Sequence, residues 1–508
     1  MLAALGAASP AAAAFDECTY DAATRTVAAK LTTQYEATLS VGAGGAILND
    51  DAPCDAATTA NTDAVDVTGS YQSDHLTIDE SGPGGPFVHP GTSDEIRFDV
   101  DFSDETYCPD YRCPGTEQIL KVVGTPGDDD IRAGFDGELL VNLDAASDFD
   151  ADVHSVGGEV EIDGGGGNDT LTGLGGSGAG FGAVTATLRG GSGDDTLGAG
   201  GDDDLVYPGS GDDVVYGSSS GRTTVSYADA PSGVTADLGD AVVADDGFGD
   251  SDRFALRTIT TLRGSDHADH LSVASRYLQR GVHVLAGGGD DVVVGGDWGA
   301  TLEGGAGDDR LYARGYGGTI KGGPGDDLLR GSDYVDSLYG GPGEDVLQAR
   351  AGKGHRLDGA VTFKGGDLLD GGPGDDLLDG GPDADHYVFY APHVREKDTI
   401  VEGPGGGHDL VDFHYSIFDA PIAVDVDLSS RRRAFSRSET RVIRTAEPGG
   451  ARYLENVAVG GETDSHVVGN DADNVIYAGG PEPVDCRGGR DTVVRWAPHL
   501  PNCEVLRP

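Results

Sequence analysis

One apolar residue recurs at every ninth position in the middle of the chain. The series is Val284, Val293, Leu302, Leu311, Ile320, Leu329, Leu338 and Leu347. Two residues after each member stands a glycine or an alanine, as in Leu302 and Gly304. A sequence period of this length is typical of a β-solenoid, in which each repeat forms a short strand and a turn and stacks on its neighbours. We therefore predict an all-β chain with a parallel β-solenoid architecture.

Several of these periods begin with an acidic, glycine-rich loop. The clearest reads Gly-Gly-Ala-Gly-Asp-Asp over residues 304–309 and is followed by Leu311. Glycine readily takes the left-handed backbone conformations that bring several carbonyl oxygens onto one ion. Aspartate adds a hard anionic oxygen, the ligand type that calcium prefers. The pattern therefore predicts Ca²⁺ binding in the turns, because turns that are merely solvated would not need glycine and aspartate in one register.

The aspartate at the sixth loop position is the candidate metal ligand. With two repeats in each coil, residues eighteen apart lie along one edge of the solenoid. We predict a nearly continuous file of calcium sites through Asp291 and Asp309, and a sparser file on the opposite edge. There, segments 298–300 and 316–318 lack the aspartate and Asp336 restores it. The predicted metal ligands are Asp129, Asp169, Asp195, Asp203, Asp213, Asp291, Asp309, Asp327, Asp336, Asp345, Asp367, Asp376 and Asp385.

These loops resemble the repeat-in-toxin family, also called haemolysin-type calcium-binding repeats, whose nonapeptide reads G-G-x-G-x-D-x-U-x. Recognisable copies run from residue 124 to about 387, and degraded copies continue to 493. The resemblance implies a β-roll, in which six residues turn while holding calcium and three form a strand with U pointing inward. It implies several Ca²⁺ ions per chain, and it carries no enzymatic activity over to this chain. Better-known members lack cysteine and leave through a dedicated channel with a C-terminal signal; this chain departs from them on both points.

The charge of the chain is strongly negative. Its 508 residues carry 88 Asp plus Glu against 34 Lys plus Arg, which gives a formal net charge of −54. Self-repulsion of this size opposes folding unless bound cations cancel it, so we expect the repeats to fold on calcium. Nucleic acid and anionic membranes are excluded as expected partners.

The N-terminus predicts export. Residues 2–14 form an alanine-rich apolar run that resembles the end of a secretory signal peptide. No later segment has the run of about 18 apolar residues that a membrane span requires. We therefore expect a soluble, secreted monomer.

Six cysteines agree with an oxidising destination. They lie in two terminal groups and none lies in the repeats. Proximity in sequence favours Cys486–Cys503 and Cys108–Cys113, which leaves Cys18–Cys54. Disulfides at both ends suit a solenoid, because its terminal turns have a neighbour on one side only.

The repeats and their interruptions divide the chain into segments. Residues 15–120 carry no nonapeptide and predict a small all-β region, either a sandwich or irregular first coils of the same solenoid. The segments are 1–14 (signal peptide remnant), 15–120 (N-terminal region with disulfides), 121–216 (first calcium-binding β-roll block), 217–283 (interrupting β repeat), 284–387 (main calcium-binding block), 388–460 (second interrupting β repeat) and 461–508 (degenerate repeats and disulfide-pinned cap).

Three further patterns have weaker functional interpretations. Residues 217–221 match the G-x-S-x-G pattern but lack the strand-to-helix context that a serine nucleophile needs. Residues 264–271, with His267 and His270, are in register with a degenerate calcium loop. Six arginines between residues 431 and 444 could bind an acidic polysaccharide or form ion pairs with the chain's own aspartates.

The predicted function is a secreted calcium-binding β-roll with an extracellular structural or binding role and no enzymatic activity. An extracellular polysaccharide or a cell surface is the candidate macromolecular partner. The alternative is a calcium-dependent, lyase-like enzyme acting on polysaccharides, in which the arginine-rich stretch 431–444 would supply the base. The regular file of acidic loops favours the first function over the second.

Overall fold

The fold is taken from a computed structural model of the chain. The structure describes residues 15–31, 36–68, 75–88, 96–102, 118–143, 151–156, 159–176, 179, 182–218, 221–239, 241–255, 259–273, 281–350, 366–382, 384–389, 396–402, 407–413, 425–429, 434–437, 441–445, 450–459, 466–478, 484–494 and 504–506. Their contacts divide the chain into two units. Unit 1 contains residues 1–227 and 248–259, and unit 2 contains residues 228–247 and 260–508.

Each coil in the middle of the chain consists of two short strands and two turns. Strand Leu328–Arg330 lies parallel to Arg310–Tyr312, with Leu311 opposite Leu329. On the other face of the solenoid, Thr319–Lys321 lies parallel to Thr301–Ala306, with Leu302 opposite Ile320. Both registers are shifted by eighteen residues, so one coil contains two nonapeptides. The predicted parallel β-solenoid is confirmed.

The core of the repeats is thin. Most strands here have three residues, and only the middle one is buried, as in Arg310–Tyr312. The side chains of Leu302, Leu311 and Ile320 are fully buried, each 0% exposed. Successive side chains of a strand point to opposite faces, so a three-residue strand gives the interior one aliphatic residue. Apolar burial per coil is correspondingly small.

Unit 1 has two sheets that form opposite faces of its coils. The first contains, in order of pairing, Phe15–Asp21, Thr26–Leu31, Ala64–Thr68, Arg97–Asp101, Val153–Val156, Leu139–Asn142, Asp130–Phe135, Thr170–Thr172, Thr196–Gly198, Val214–Tyr216 and Asp252–Ala255. The second contains Ala52–Thr58, Ala46–Asn49, Glu36–Val41, His75–Asp79, Ile119–Val123, Glu159–Gly166, Ala186–Ser192, Asp204–Ser210 and Thr223–Ser226.

Unit 2 repeats this arrangement. Its first sheet contains Val242–Asp245, Thr235–Asp237, His270–Ser272, Val292–Val294, Arg310–Tyr312, Leu328–Arg330, Val346–Gln348, Leu377–Asp379, Glu396–Val401, Arg441–Thr445, Ala434–Arg437, Asp425–Asp427, His466–Val468 and Val484–Asp485. Its second contains Thr261–Arg263, His283–Gly288, Thr301–Ala306, Thr319–Lys321, Ser337–Tyr339, Leu368–Asp370, His386–Val388, Leu410–Phe413, Asn456–Val459, Val475–Ala478, Thr492–Val494 and Glu504–Leu506.

The N-terminal region consists of irregular first coils of the solenoid. Strand Ala64–Thr68 lies parallel to Thr26–Leu31 and to Arg97–Asp101. Larger side chains fill this part, where the rings of Phe87 and Phe98 meet edge to face with centroids 4.9 Å apart. Of the two alternatives for this region, the structure shows the solenoid coils and not a separate sandwich.

The two interrupting segments add antiparallel hairpins to coils that otherwise continue. In unit 2, Thr235–Asp237 pairs antiparallel with Val242–Asp245 and parallel with His270–Ser272. In the later segment, Ala434–Arg437 pairs antiparallel with Arg441–Thr445, which is parallel to Glu396–Val401. The hairpins lengthen these coils, and the regular nine-residue spacing is lost there for that reason.

One disulfide closes the first strands of the chain. Cys18 bonds to Cys54 and joins Phe15–Asp21 to Ala52–Thr58. This is the predicted N-terminal pair. Cys486 is disulfide-bonded as well; its predicted partner Cys503, and the predicted pair Cys108–Cys113, lie outside the described residues.

Helical structure is sparse in the described part of the chain. A 3-10 helix spans Gly450–Tyr453. Among the same residues, no helix is long and apolar enough to cross a membrane.

Candidate metal centre

The turns between the strands are tight and need glycine at defined positions. In the loop 304–309, Gly305 has φ +114° and Gly307 has φ +132°, both in the left-handed region. A Cβ added to Gly305 would lie 1.9 Å from the carbonyl oxygen of Gly287 in the preceding coil. Stacked turns therefore approach each other through backbone alone, which brings carbonyl oxygens close together at the edge of the solenoid.

The sixth-position aspartates connect each turn to the next. The backbone N–H of Asp291 donates to Oδ1 of Asp309 at 2.9 Å, and that of Asp309 donates to Oδ1 of Asp327 at 2.8 Å. The N–H of Asp327 donates in turn to Oδ1 of Asp345 at 2.8 Å. All four side chains are buried, with exposed fractions of 0 to 2%. The predicted stack of aspartates eighteen residues apart is present.

Hydrogen bonds of this type form four ladders in the described residues. In each, the N–H of one residue donates to the side chain at the same position of the next coil. Ladder 1 lies in unit 1 and contains Asp129, Asp169, Asp195, Asp213 and Asp252. Ladders 2, 3 and 4 lie in unit 2 and contain, respectively, Asp269, Asp291, Asp309, Asp327, Asp345, Asp376 and Asp398; Asp336, Asp367, Asp385, Asp409 and Glu455; and Asn474 and Asp491.

The second carboxylate oxygen is what makes the ladders candidate metal sites. Oδ2 of Asp309, Asp327 and Asp345 is buried and has no hydrogen-bond partner. Oδ2 of Asp309 lies over Gly304, where an added Cβ would be 2.1 Å from it and 2.8 Å from the carbonyl oxygen of Gly322. Buried anionic oxygens without a partner are strongly unfavourable. A glycine-lined cradle that holds carboxylate and carbonyl oxygens fits calcium, which binds oxygen ligands only.

The electrostatics of the ladders lead to the same conclusion. Burial, with nearby aspartates adding to it, raises the pKa of Asp291 and of Asp345 to about 8. The pKa of Asp309 is raised to about 7, again chiefly by burial. Charged carboxylates here are therefore unfavourable at neutral pH unless a cation lies beside them.

The structure places twelve of the thirteen predicted ligands in ladders 1 to 3. That these aspartates bind metal stays a prediction. Their equivalent positions in successive turns are an observation of the structure. Asp376 extends ladder 2, whereas Asp367 and Asp385 extend ladder 3 from Asp336.

Asp203 is the exception, and its register was predicted wrongly by one residue. Its side chain is exposed and forms an ion pair with Arg222. The neighbouring Asp204 is buried and accepts the N–H of Ala186 at 2.9 Å, as the ladder aspartates do. Asp204 lies nine residues from both Asp195 and Asp213 and two before the buried Val206, so the sequence contains the correct register.

A pair of variants tests this correction. Asp204→Asn should lose calcium-dependent stabilisation, because the amide oxygen still accepts the Ala186 N–H but the anionic ligand is gone. Asp203→Asn should leave the free energy of unfolding nearly unchanged, since it breaks only an exposed ion pair. Thermal unfolding with and without calcium measures both. Equal losses in the two variants would contradict the assignment.

On the opposite edge of the main block, aromatic rings stand where aspartates are missing. The ring centroids of Trp298 and Tyr316 are 5.4 Å apart, and those of Tyr316 and Tyr334 are 4.9 Å apart. Trp298 and Tyr316 are 46% and 45% exposed. These ring pairs join successive turns on this edge until Asp336 begins ladder 3. The sparser file of calcium sites predicted for this edge is consistent with the replacement of aspartates by aromatic residues.

Ladder 3 contains, near its end, a carboxylate cluster that sequence reasoning missed. Carboxylate oxygens of Asp385, Glu402 and Asp409 lie within 4.8 Å of one another, and all three residues are buried. The hydroxyl of Tyr387 donates to Oε1 of Glu402, while Oδ2 of Asp409 is buried without a hydrogen-bond partner. Burial and the charge of Glu402 raise the pKa of Asp409. Oxygen ligands around one cation lie at such separations, so the cluster also fits calcium.

Comparison with known families agrees with this geometry. The model of the RTX calcium-binding nonapeptide repeat, built from four copies, matches residues 157–178, 185–215, 298–315, 321–354 and 362–388. No curated protein matches the chain. Fold and site together define a β-roll whose repeats bind calcium. The chain therefore carries haemolysin-type calcium-binding nonapeptide repeats, as its sequence predicts.

Proposed function

We propose that this chain is exported and acts outside the cell as a calcium-folded β-roll with a structural or binding role. The observation that carries the proposal is the row of buried aspartates whose second oxygen lacks a hydrogen-bond partner, as at Asp309 and Asp327. A continuous row along a solenoid serves to hold coils together, because each site would join two successive turns. Calcium, when bound, supplies the positive charge that these carboxylates need.

The residues that would hold calcium are those of the ladders. In the glycine-lined turns the aspartate offers Oδ2, and the glycines of successive turns offer carbonyl oxygens beside it, as Gly322 does next to Asp309. The cluster of Asp385, Glu402 and Asp409 would hold a further ion near the end of ladder 3. Its three carboxylates give it more negative charge than an ordinary turn, which favours tighter binding.

An extracellular location suits both the chemistry of the sites and the disulfide. Cys18–Cys54 requires an oxidising environment to persist. Extracellular modules fill their sites at about 10⁻⁴ to 10⁻³ M calcium, a range available outside cells. Export into calcium would then switch on folding of a chain with net charge −54.

The proposed role is not catalytic. The acidic groups of the described turns accept backbone N–H groups in a repeated pattern, as Asp327 and Asp345 do, and are thereby fixed at equivalent places in every coil. Carboxylates at equivalent places in successive coils are the arrangement expected of a long scaffold that binds many similar ions. Of the arginine-rich stretch needed by the enzymatic alternative, residues 431–433 lie outside the described residues.

Asp309→Asn, with Asp308→Asn as its matched control, tests the proposal. The amide introduced by Asp309→Asn would still accept a hydrogen bond through its oxygen but would offer no anionic oxygen at the Oδ2 position. We expect this variant to lose one or two calcium ions per chain, measured by equilibrium dialysis. Asp308 is exposed and accepts the N–H of Asp326, so its variant should keep the wild-type ion count. An unchanged count in Asp309→Asn, or a wild-type chain that binds no calcium, would overturn the proposal.

A further inference from the structure

A set of four turns carries a small polar side chain at the second loop position. Thr125, Ser265, Ser332 and Asn470 stand where other loops have a left-handed glycine such as Gly305. These four turns, called clamped turns below, are residues 124–129, 264–269, 331–336 and 469–474. Each second-position residue bonds to the sixth residue of its own loop.

In three clamped turns, a hydroxyl and a backbone N–H hold the aspartate. Ser265 donates its N–H to Oδ2 of Asp269 at 2.7 Å and its Oγ–H to Oδ1 at 2.8 Å. Ser332 donates N–H and Oγ–H to Oδ2 of Asp336 at 2.6 and 2.9 Å, while Oδ1 accepts the N–H of Gly318 at 2.7 Å.

Thr125 does the same for Asp129. Its N–H donates to Oδ2 at 2.8 Å, and its hydroxyl donates to Oδ1 at 3.0 Å. Oδ2 of Asp269, Asp336 and Asp129 is thus engaged inside its own turn. In a glycine-lined turn such as 304–309, by contrast, Oδ2 of the aspartate has no partner.

The fourth clamped turn has the same arrangement without charge. Oδ1 of Asn474 accepts the N–H of Asn470 at 2.9 Å. Nδ2 of Asn474 donates to Oδ1 of Asn470 at 3.0 Å and to the carbonyl oxygen of Glu455 at 2.7 Å. This turn satisfies its side chains entirely within the protein, which shows that a turn of this shape can be complete without a cation.

The clamped turns share one position in the fold. Asp129, Asp269, Asp336 and Asn474 are the first residues of ladders 1, 2, 3 and 4. In ladders 2 and 3, the N–H that the first aspartate accepts from the preceding coil belongs to Val234 or Gly318, which have no carboxylate. The first aspartate therefore could not share an ion with a ladder aspartate on that side, and donors within the turn take that place.

From this we infer that the clamped turns are start turns, in which Thr125, Ser265 and Ser332 act as positioning residues for the first aspartate of each ladder. They hold it in ladder geometry without an ion, and calcium-dependent stacking of the neighbouring turns then builds on them. The inference rests on the calcium binding proposed above. In a linear array, the first unit is costly and each later one adds an interface, so a preformed start turn lowers the calcium needed for the whole ladder.

Ser265→Ala tests the inference, with Ser265→Thr as its rescue. Hydrogen exchange in chelator reports the metal-free state. In the wild type, segment 264–272 should exchange at least about tenfold more slowly than 304–312, because hydrogen bonds to a buried carboxylate are strong ones. Ser265→Ala should abolish that difference and raise the calcium midpoint of folding, and Ser265→Thr should restore both.

Two further variants separate the start-turn role from a general loss of structure. Ser332→Ala should show the same effects for segment 331–339 of ladder 3. Ser192→Ala, in the exposed third position of a glycine-lined loop, should behave as the wild type. Equal exchange of 264–272 and 304–312 in wild-type chelated protein, or an unshifted midpoint in Ser265→Ala, would refute the inference while leaving calcium binding intact. Failure of wild-type calcium to protect 304–312 would instead refute the proposed function.

Discussion

Chelation of calcium is expected to unfold most of the solenoid in a cooperative transition. A coil buries about one aliphatic side chain per strand, such as Leu311 or Ile320, and this thin core must offset the ordering of eighteen residues. Without a cation, the buried carboxylates of Asp309 and Asp327 and the net charge of −54 both oppose the fold. A bound ion stabilises the folded state by about 2.7 kcal/mol when calcium is a hundredfold above its dissociation constant, and the ladders multiply this term.

Far-UV circular dichroism and calorimetry, with chelator and after calcium is returned, measure this transition. Magnesium is the first control, since it needs near-octahedral geometry and loses water reluctantly, so it should not restore the β signal. High salt is the second control. At about 1 M, it screens charges beyond roughly 3 Å, so it should relieve general repulsion without filling the sites. Full β structure in chelator, or recovery by salt alone, would contradict a calcium-folded solenoid.

Much of this architecture could be predicted because the repeat is local. The nine-residue period determined the strand length, the inward residue and the eighteen-residue stacking, and Leu302 opposite Ile320 confirms that register. The period also placed Asp309 and its equivalents on one edge. Glycine and aspartate are informative about these turns, because few other residues take the left-handed backbone conformation or offer calcium an anionic oxygen.

The misplaced and missed residues lie where the local signal is ambiguous or interrupted. Three consecutive aspartates, 202–204, obscured the register, although the nine-residue distances to Asp195 and Asp213 and the buried Val206 both select Asp204. Asp252 and Asp409 follow long insertions, so counting by nine does not reach them. Glu402 has no repeat position at all and joins its cluster through the coil geometry.

The clamped turns show a different limit. Ser265 and Thr125 occupy a loop position where the nonapeptide has glycine, so by sequence they depart from the repeat pattern. In the structure they complete the turn by bonding to Asp269 and Asp129. A departure from a repeat pattern therefore indicates a function when the new side chain can donate a hydrogen bond to the aspartate of the same turn.

The pH dependence of stability should have opposite signs with and without calcium. In the folded state, the pKa is raised to about 8 for Asp291 and Asp345 and to about 7 for Asp195 and Asp309, mainly by burial. The pKa of the same groups in the unfolded chain lies near the ordinary aspartate value of 3.8. Between these values the folded state binds more protons, so metal-free stability is full below the lower pKa and is lost as pH rises toward 8.

Metal-free protein should therefore gain β structure on acidification, in a transition between about pH 8 and 6, where the raised pKa values lie. With calcium, the sign reverses, because the carboxylates bind the ion only when deprotonated, and the calcium midpoint should fall as pH rises. Circular dichroism of dialysed protein over this pH range, with and without calcium, measures both slopes.

A triple variant, Asp291→Asn, Asp309→Asn and Asp345→Asn, links the two slopes to the same carboxylates. It should fold more readily than the wild type in chelator at pH 8, since three buried charges are gone, and its metal-free pH slope should be shallower. It should also lose much of its calcium response. The same groups would then be shown to destabilise the empty solenoid and to stabilise the loaded one. If metal-free β content instead fell on acidification, or if the triple variant kept the wild-type pH slope, the buried aspartates would not be the groups that make folding depend on calcium.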